Sequence, residues 1–412
     1  MNLLIDNIKE LVTVSTKGKG IKVGKEMREL GIIENASLLI EDGIIKKIAD
    51  AGKIKVNDEV YVLNADGKIV LPGFVDSHTH LVFAGSRENE FGLRAEGKTY
   101  QEIAKSGGGI LSTVNKTREA SKKELFKLAE RRLNKMLKLG TTTVEIKSGY
   151  GLSAESEIKI LDVINQLKRE HYTTIVPTFL GAHAIPIEFK NNPDEYVELI
   201  CNYILPHVAK NKLAEFCDIF CENGYFDLTQ SEKILSKAIN CGLKIKLHAD
   251  QLSNFGATEL GVKLNATSVD HLELLNEKGI EALKNSKTIA TILPGSSFFL
   301  NHKYAPARSL IDKNIPVAIA TDFNPGTAMC YSMPMMLTIA CTQMKMRIEE
   351  AISASTINGA AALGLQNKIG SLEVGKVGDV IIFDVPNYKY IPYHFSENFV
   401  KHVIKEGVLL EL

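Results

Sequence analysis

The chain carries no excess of charge: Lys+Arg and Asp+Glu each number 49 among 412 residues, so the formal net charge is zero. That leaves no basic surplus for a nucleic-acid backbone or an anionic membrane, and there is no acidic tail. No uncharged apolar run approaches the length needed to span a bilayer. The opening MNLLIDNIKELVTV sets Asp6 and Glu10 within its apolar stretch and lacks a basic leading segment, unlike a secretory signal. Cysteine is sparse, and Cys201, Cys217, Cys221, Cys241, Cys330 and Cys341 form no C-x-x-C pair. In a chain without an export signal they read as reduced thiols, and the expected location is the cytoplasm. No G-x-G-x-x-G opens a helix after the first strong strand, which weakens a dinucleotide-binding reading.

What is present is ordinary globular composition, 45% hydrophobic and 24% charged. Residues 1–68 and 370–412 read as short strands with turn punctuation. Asp42-Gly43 and Asp66-Gly67 each sit between alternating apolar segments, the signature of a hairpin. Neither end is long enough for a comfortable core of its own, so the two are expected to pair into one small β-domain.

Between them, eight strand candidates occur at 69–76, 141–147, 173–180, 215–220, 243–248, 267–270, 287–292 and 316–321. Amphipathic stretches such as KKELFKLAERRLNKMLKL and TQSEKILSKAIN separate most of them. Eight β/α units predict an α/β protein, a (β/α)8 TIM-type barrel over 69–369 flanked by a small β-sandwich domain from both chain ends. The glycines at 107–109 fall in a long loop after the first strand. We read them, within 88–112, as a mobile or ligand-covering segment rather than a phosphate cradle.

Chemistry in such a barrel gathers at the C-terminal strand ends. There the sequence places His78 and His80, then Lys147 and Tyr150, His183, Cys221 and Glu222, His248 with Gln251, Asp270 and His271, and Asp322 with Asn324. Five of the ten histidines fall at these ends, while His171, His207, His302, His394 and His402 scatter. His78 and His80 share a strand face because side chains repeat every second residue. Each donor has a bland reading: His248 could cap a strand and Asp322 a helix, but the combination suits a metal. Three imidazoles and a carboxylate fit one Zn(II) or Fe(II) per subunit with a position left for water.

The motifs HTHLVFAGSRENEF, EIKSGYGL, TFLGAHAIP, LHADQLSN, DHLE, LPGSSFFL and TDFNPGTA together resemble the amidohydrolase superfamily, and within it the imidazolonepropionases. The resemblance covers nearly the whole chain. It implies hydrolytic ring opening of 4-imidazolone-5-propanoate to N-formimidoyl-L-glutamate, metal at His78, His80, His248 and Asp322, and a homodimer. It further implies substrate contacts at Arg87, Tyr150, His183, Gln251, Asn324, Gly326 and Thr327; the hydroxyls of Tyr150 and Tyr100 could add donors or simply pack.

The fork of N–H donors on Arg87 suits a propionate carboxylate. His271 or Asp322 is the expected catalytic base. Two-metal relatives bridge their ions through a lysine at the end of strand four, and AEFCDIFCENGY has none. Position 251 is Gln, which cannot shuttle a proton as the glutamate of cytosine-type deaminases does. The alternatives are another cyclic amidase or deaminase of the superfamily, or a non-catalytic assembly protein. The last usually loses metal ligands that this chain keeps.

Overall fold

Strands rich in Val, Ile and Thr alternate with amphipathic helices through the middle of the chain, and helical crossovers that pack on a sheet's face favour parallel pairing. The computed structural model describes residues 2–98, 102 and 108–411. Eight parallel strands run in chain order around a barrel: Phe74–Asp76, Thr141–Lys147, Thr174–Ala182, Phe216–Cys221, Lys244–Ala249, Ser268–His271, Ile289–Ile292 and Val317–Ile319. The ring closes between the last and first strands, where Asp322 N donates to His78 O at 3.0 Å and His80 N to Phe323 O at 2.9 Å.

The helix Lys122–Lys138 shows why these segments hold. Ser121 and Glu124 form a reciprocal capping box, and Leu125, Ala129, Leu133 and Met136 bury one stripe. At its C-terminal end Gly140 takes φ +88°, a conformation that favours glycine.

A second eight-stranded sheet is built from both chain ends, with Asn2–Val12 near its centre. Leu3, Ile5, Ile8, Leu11, Leu38, Ile40, Val380, Ile382 and Ile404 form its apolar core. The Asp42-Gly43 turn does join two antiparallel strands, Ile32–Glu41 and Ile44–Asp50.

Two expectations need correction. The stretch 69–76 is two strands: Ile69–Pro72 pairs with Val380–Phe383 in the end sheet, and Phe74–Asp76 begins the barrel. Gly73 makes the crossing, where a Cβ would lie 2.0 Å from Thr142 Oγ1. Nor is Asp66-Gly67 a hairpin. Val60–Asn64 and Ile69–Pro72 both run parallel to Asn2–Val12 along the same side of it, so the turn interrupts one line of strand. Its two left-handed residues, Asp66 (φ +52°) and Gly67 (φ +68°), make an in-line detour instead of a reversal. Tyr100 and most of the 99–107 stretch lie outside the described residues. Among the described residues no helix is long and apolar enough to cross a membrane, and all six cysteines are free thiols.

Candidate active site

At the C-terminal mouth of the barrel the predicted donors converge. His78 Nε2 and His80 Nε2 each lie 3.5 Å from the same oxygen, Asp322 Oδ1. His248 Nε2 stands 3.4 Å from His80 Nε2. A tetrahedral shell with ligands at about 2.0–2.1 Å has edges of about 3.4 Å, so this spacing is that of a metal-ligand cage. His78 Nε2 is buried with no hydrogen-bond partner from the chain, and a ring nitrogen left so in a polar cage suits a metal ligand. The described residues therefore fit a divalent metal.

Carboxylates stand behind the imidazoles. Asp270 Oδ2 lies 2.7 Å from His78 Nδ1, and Asp218 Oδ2 lies 3.1 Å from His248 Nδ1, leaving the Nε2 atoms to face inward. Lys147 Nζ joins both carboxylates, at 2.7 Å from Asp218 and 3.7 Å from Asp270, and also pairs with Glu145 at 2.7 Å. Lys246 Nζ binds Ser77 O at 2.6 Å and lies 3.2 Å from Glu145. Burial opposes the Lys147 ammonium, but Asp218 and Glu145 more than offset it and raise its pKa. Burial, then the nearby Lys147 charge, holds His78 well below the ordinary histidine value, and burial with His183 does the same to His80. Neutral imidazole is the ligand form.

His271 ends the sixth strand, its Nδ1 3.3 Å from Glu273 Oε1. Burial works against its charge, but Glu273 outweighs that and raises its pKa. Burial raises the Asp322 carboxyl, although His271 and His248 act the other way. His271 (φ +85°), Leu272 (φ +71°) and Asp322 (φ +54°) are all left-handed, the kind of backbone strain that concentrates at working sites.

The other predicted residues surround this cage. His183 stacks on His80 with ring centroids 4.9 Å apart, and Tyr150 lies 5.4 Å from His183 and 5.9 Å from His80. Burial, then His248, pushes His183 down to about 3. Thr327 Oγ1 donates to Asp322 Oδ2 at 3.2 Å. Asn324 spends its amide on the loop itself: Nδ2 donates to Asp322 O and Thr327 Oγ1, and Oδ1 accepts from Gly326 N and Thr327 N.

The Arg87 side chain is only 8% exposed, unlike a surface arginine. Its Nε and Nη2 donate to Glu90 Oε2 at 2.9 and 2.6 Å. Gly326 leaves room for the guanidinium, since a Cβ there would sit 2.2 Å from Nη1. Gln251 is half-buried, just ahead of Leu252 and Ser253, whose backbone amides donate to the buried Glu222.

Asp218, Glu145, Lys246, Glu157 and Glu273 were not singled out from sequence. A signal was available for two of them: Glu145 stands two residues before Lys147 in TTTVEIK and Lys246 two before His248 in LKIKLH, and side chains two apart share one face of a buried strand.

Fold and site together are of one enzyme class. Residues 69–410 match the amidohydrolase family. The imidazolonepropionase of Clostridium tetani is 48% identical over 409 residues, covering 98% of this chain and 97% of that one. That of Christiangramia forsetii is 46% identical over 414 residues and 100% of both chains. Among solved structures, a triazine hydrolase variant superposes with TM-score 0.79 at 16% identity, covering 99% of this chain and 94% of the other. A zinc-bound adenosine deaminase from Xanthomonas campestris gives 0.69 at 18%, covering 99% and 92%. Both of these establish the fold alone. The chain belongs to the amidohydrolase family and, within it, to the imidazolonepropionases.

Proposed function

We propose the following division of labour for an enzyme that hydrolyses a C–N bond of a cyclic amide, opening 4-imidazolone-5-propanoate to N-formimidoyl-L-glutamate. The observation that carries it is the convergence of His78, His80, His248 and Asp322 at ligand spacing inside a family of metal-dependent hydrolases. These four would hold one zinc or iron ion per subunit. When bound, the metal supplies a water activated at neutral pH and polarises the carbonyl it faces.

The protein's own groups do the rest. Asp322, whose Oδ2 accepts from Thr327 Oγ1, and His271 are the two groups we assign to take a proton and return it to the leaving ring nitrogen. Glu273 holds His271 Nδ1, so the far nitrogen of that ring faces the His78–His248 side. Arg87 and Tyr150 are assigned to the propionate carboxylate, and His183 and Gln251 to the ring. Gly326 acts by leaving space for Arg87, while Asn324 and Thr327 fix the loop that carries Asp322. Residues 1–68 and 370–412 form one supporting unit beside the 69–369 barrel, with Ile69–Pro72 lent to the smaller sheet. A cytoplasmic homodimer completes the reading.

The test pairs metal analysis with turnover on one preparation. About one equivalent of zinc or iron is expected, with loss of the imidazolone ultraviolet absorbance over time and no turnover after chelation. His271→Ala should lower kcat by about 10²–10³. Metal without ring opening would send the search to other cyclic amides, and ammonia release would mark a deaminase.

A further inference from the structure

The SGYGL motif carries two glycines around Tyr150, and the structure gives each a reason. Gly149 stands at φ +108°, and a Cβ there would meet His183 Nδ1 at 2.9 Å. A Cβ at Gly151 would meet Glu157 N at 2.6 Å and Glu157 Oε1 at 2.8 Å. Both glycines therefore admit a close partner, and for the second that partner is Glu157.

Glu157 lies in the first turn of the helix Ala154–Glu170 and is fully buried. Its carboxylate accepts three backbone N–H groups: Gly149 at 2.9 Å on Oε2, and Gly151 at 2.7 Å and Leu152 at 2.8 Å on Oε1. From the other side Arg118 donates to the carbonyls of Gly151 and Leu152, at 2.7 and 2.8 Å. The Gly149 carbonyl lies 3.0 Å from His183 Nδ1. A carbonyl oxygen only accepts, so Nδ1 carries the hydrogen and Nε2 of a neutral imidazole carries the lone pair. His183, His80 and His248 each bring a ring nitrogen within 4.8 Å of the others, so this lone pair belongs to the pocket.

We propose that Glu157 is a positioning residue for substrate selection: by fixing residues 149–152 it sets Tyr150 beside His183 and holds His183 as the Nδ1–H tautomer, so the pocket selects a ring that offers an N–H donor. The inference deepens the reading of the site as one for a cyclic amide, whose ring nitrogen is such a donor. It assigns no proton transfer to Glu157, which is separated from the reacting ring by the loop it holds.

The experiment uses zinc-loaded protein with ¹⁵N-labelled histidine, and His183→Asn identifies the resonance. Wild type should show His183 protonated on Nδ1 and bare on Nε2. Glu157→Gln keeps the shape but turns an NH₂ toward backbone donors. It should retain zinc and fold, lose the single tautomer, and raise KM about tenfold or more with kcat within about threefold. Wild-type His183 protonated on Nε2 would overturn the proposal, whether or not the variant folds. So would a folded variant with unchanged KM and an unchanged His183 spectrum. A wild type that binds zinc but does not open the imidazolone would sink the substrate reading instead, while the tautomer measurement still decides the role of Glu157.

Discussion

The two eight-stranded sheets bury opposite chemistries. The end sheet closes over Leu, Ile and Val, with fully buried side chains such as Ile5, Ile40 and Ile382. The upper barrel buries Glu145, Lys147, Asp218, Lys246, His248 and Asp270, all at 2% exposure or less. An ion network of that kind is rarely the most stable filling, because each charge loses its hydration on burial and apolar residues of equal volume often serve as well or better. Its value lies in aim. Two lysines hold three carboxylates, and two of those hold the imidazoles that face the metal position. One sheet spends its interior on stability and the other on geometry, and substitutions should separate the two.

The largest effect is expected where a cage donor is lost. On the proposed reading Asp322→Ala removes a metal ligand and one of the two candidate proton acceptors, so kcat should fall by about 10⁴ or more and bound metal should drop below one equivalent. Turnover and metal content on the same sample check this. Retained activity at a tenth of wild type would move the base and ligand roles elsewhere.

Next comes the support beneath the cage. Lys147→Met leaves Asp218 and Glu145 as buried charges without their shared partner, a change of about 3–5 kcal/mol in stability. It should also weaken zinc affinity by about 10–100-fold, read by competition with a chromogenic chelator. A conservative trim in the other sheet, Ile382→Val, should cost about 1 kcal/mol and leave metal affinity as it was. If both variants changed only stability, the contrast between the sheets would fail.

Arg87 tests the rim. Arg87→Lys keeps the charge but not the fork, and its Glu90 contact and fit against Gly326 depend on that fork. KM should rise about 10–100-fold with kcat nearly unchanged, since a carboxylate far from the reacting carbonyl contributes equally to ground and transition states.

How far the sequence was legible follows the same division. The eight barrel strands were found because runs such as TTTVEIK and PVAIAT are short, apolar and evenly spaced. His78, His80, His248 and Asp322 could be read together because side chains at the strand ends leave one face of a ring. The breaks came where backbone geometry overrode local pattern. Nothing in KIVLPGFVDS shows that Gly73 passes the chain from one sheet to another, because the signal is a clash with Thr142, distant in sequence. Asp66-Gly67 has the composition of a hairpin turn, yet which neighbour a strand chooses is a tertiary decision. Glu157 and Glu273 stayed hidden for a related reason. Their partners are backbone amides and a ring nitrogen, which a reading of side-chain types does not see.

The smallest effect on turnover is expected at a loop beside the end sheet and concerns pH. Glu373 ties the two chain ends together: Ser15 Oγ donates to Oε1 at 2.7 Å, Ser371 Oγ to Oε2 at 2.6 Å, and Lys376 lies 3.4 Å away. Burial opposes its ionisation, but the two hydroxyls and the Lys376 charge outweigh it and pull the carboxyl down from 4.5 to about 2. Because the folded pKa is depressed, the unfolded chain binds the proton first as pH falls. The contribution to stability is therefore complete above about pH 5 and is lost between there and pH 2, amounting to at most about 3 kcal/mol. Glu373→Gln should flatten that acid limb in denaturant titrations while leaving kcat at neutral pH unchanged. Histidine protonation and metal loss also destabilise the protein in acid, so the informative quantity is the difference between wild type and variant at each pH. A difference that stayed constant from pH 7 to pH 3 would mean that Glu373 acts through shape rather than charge, and that the end sheet owes its closure to its aliphatic core alone.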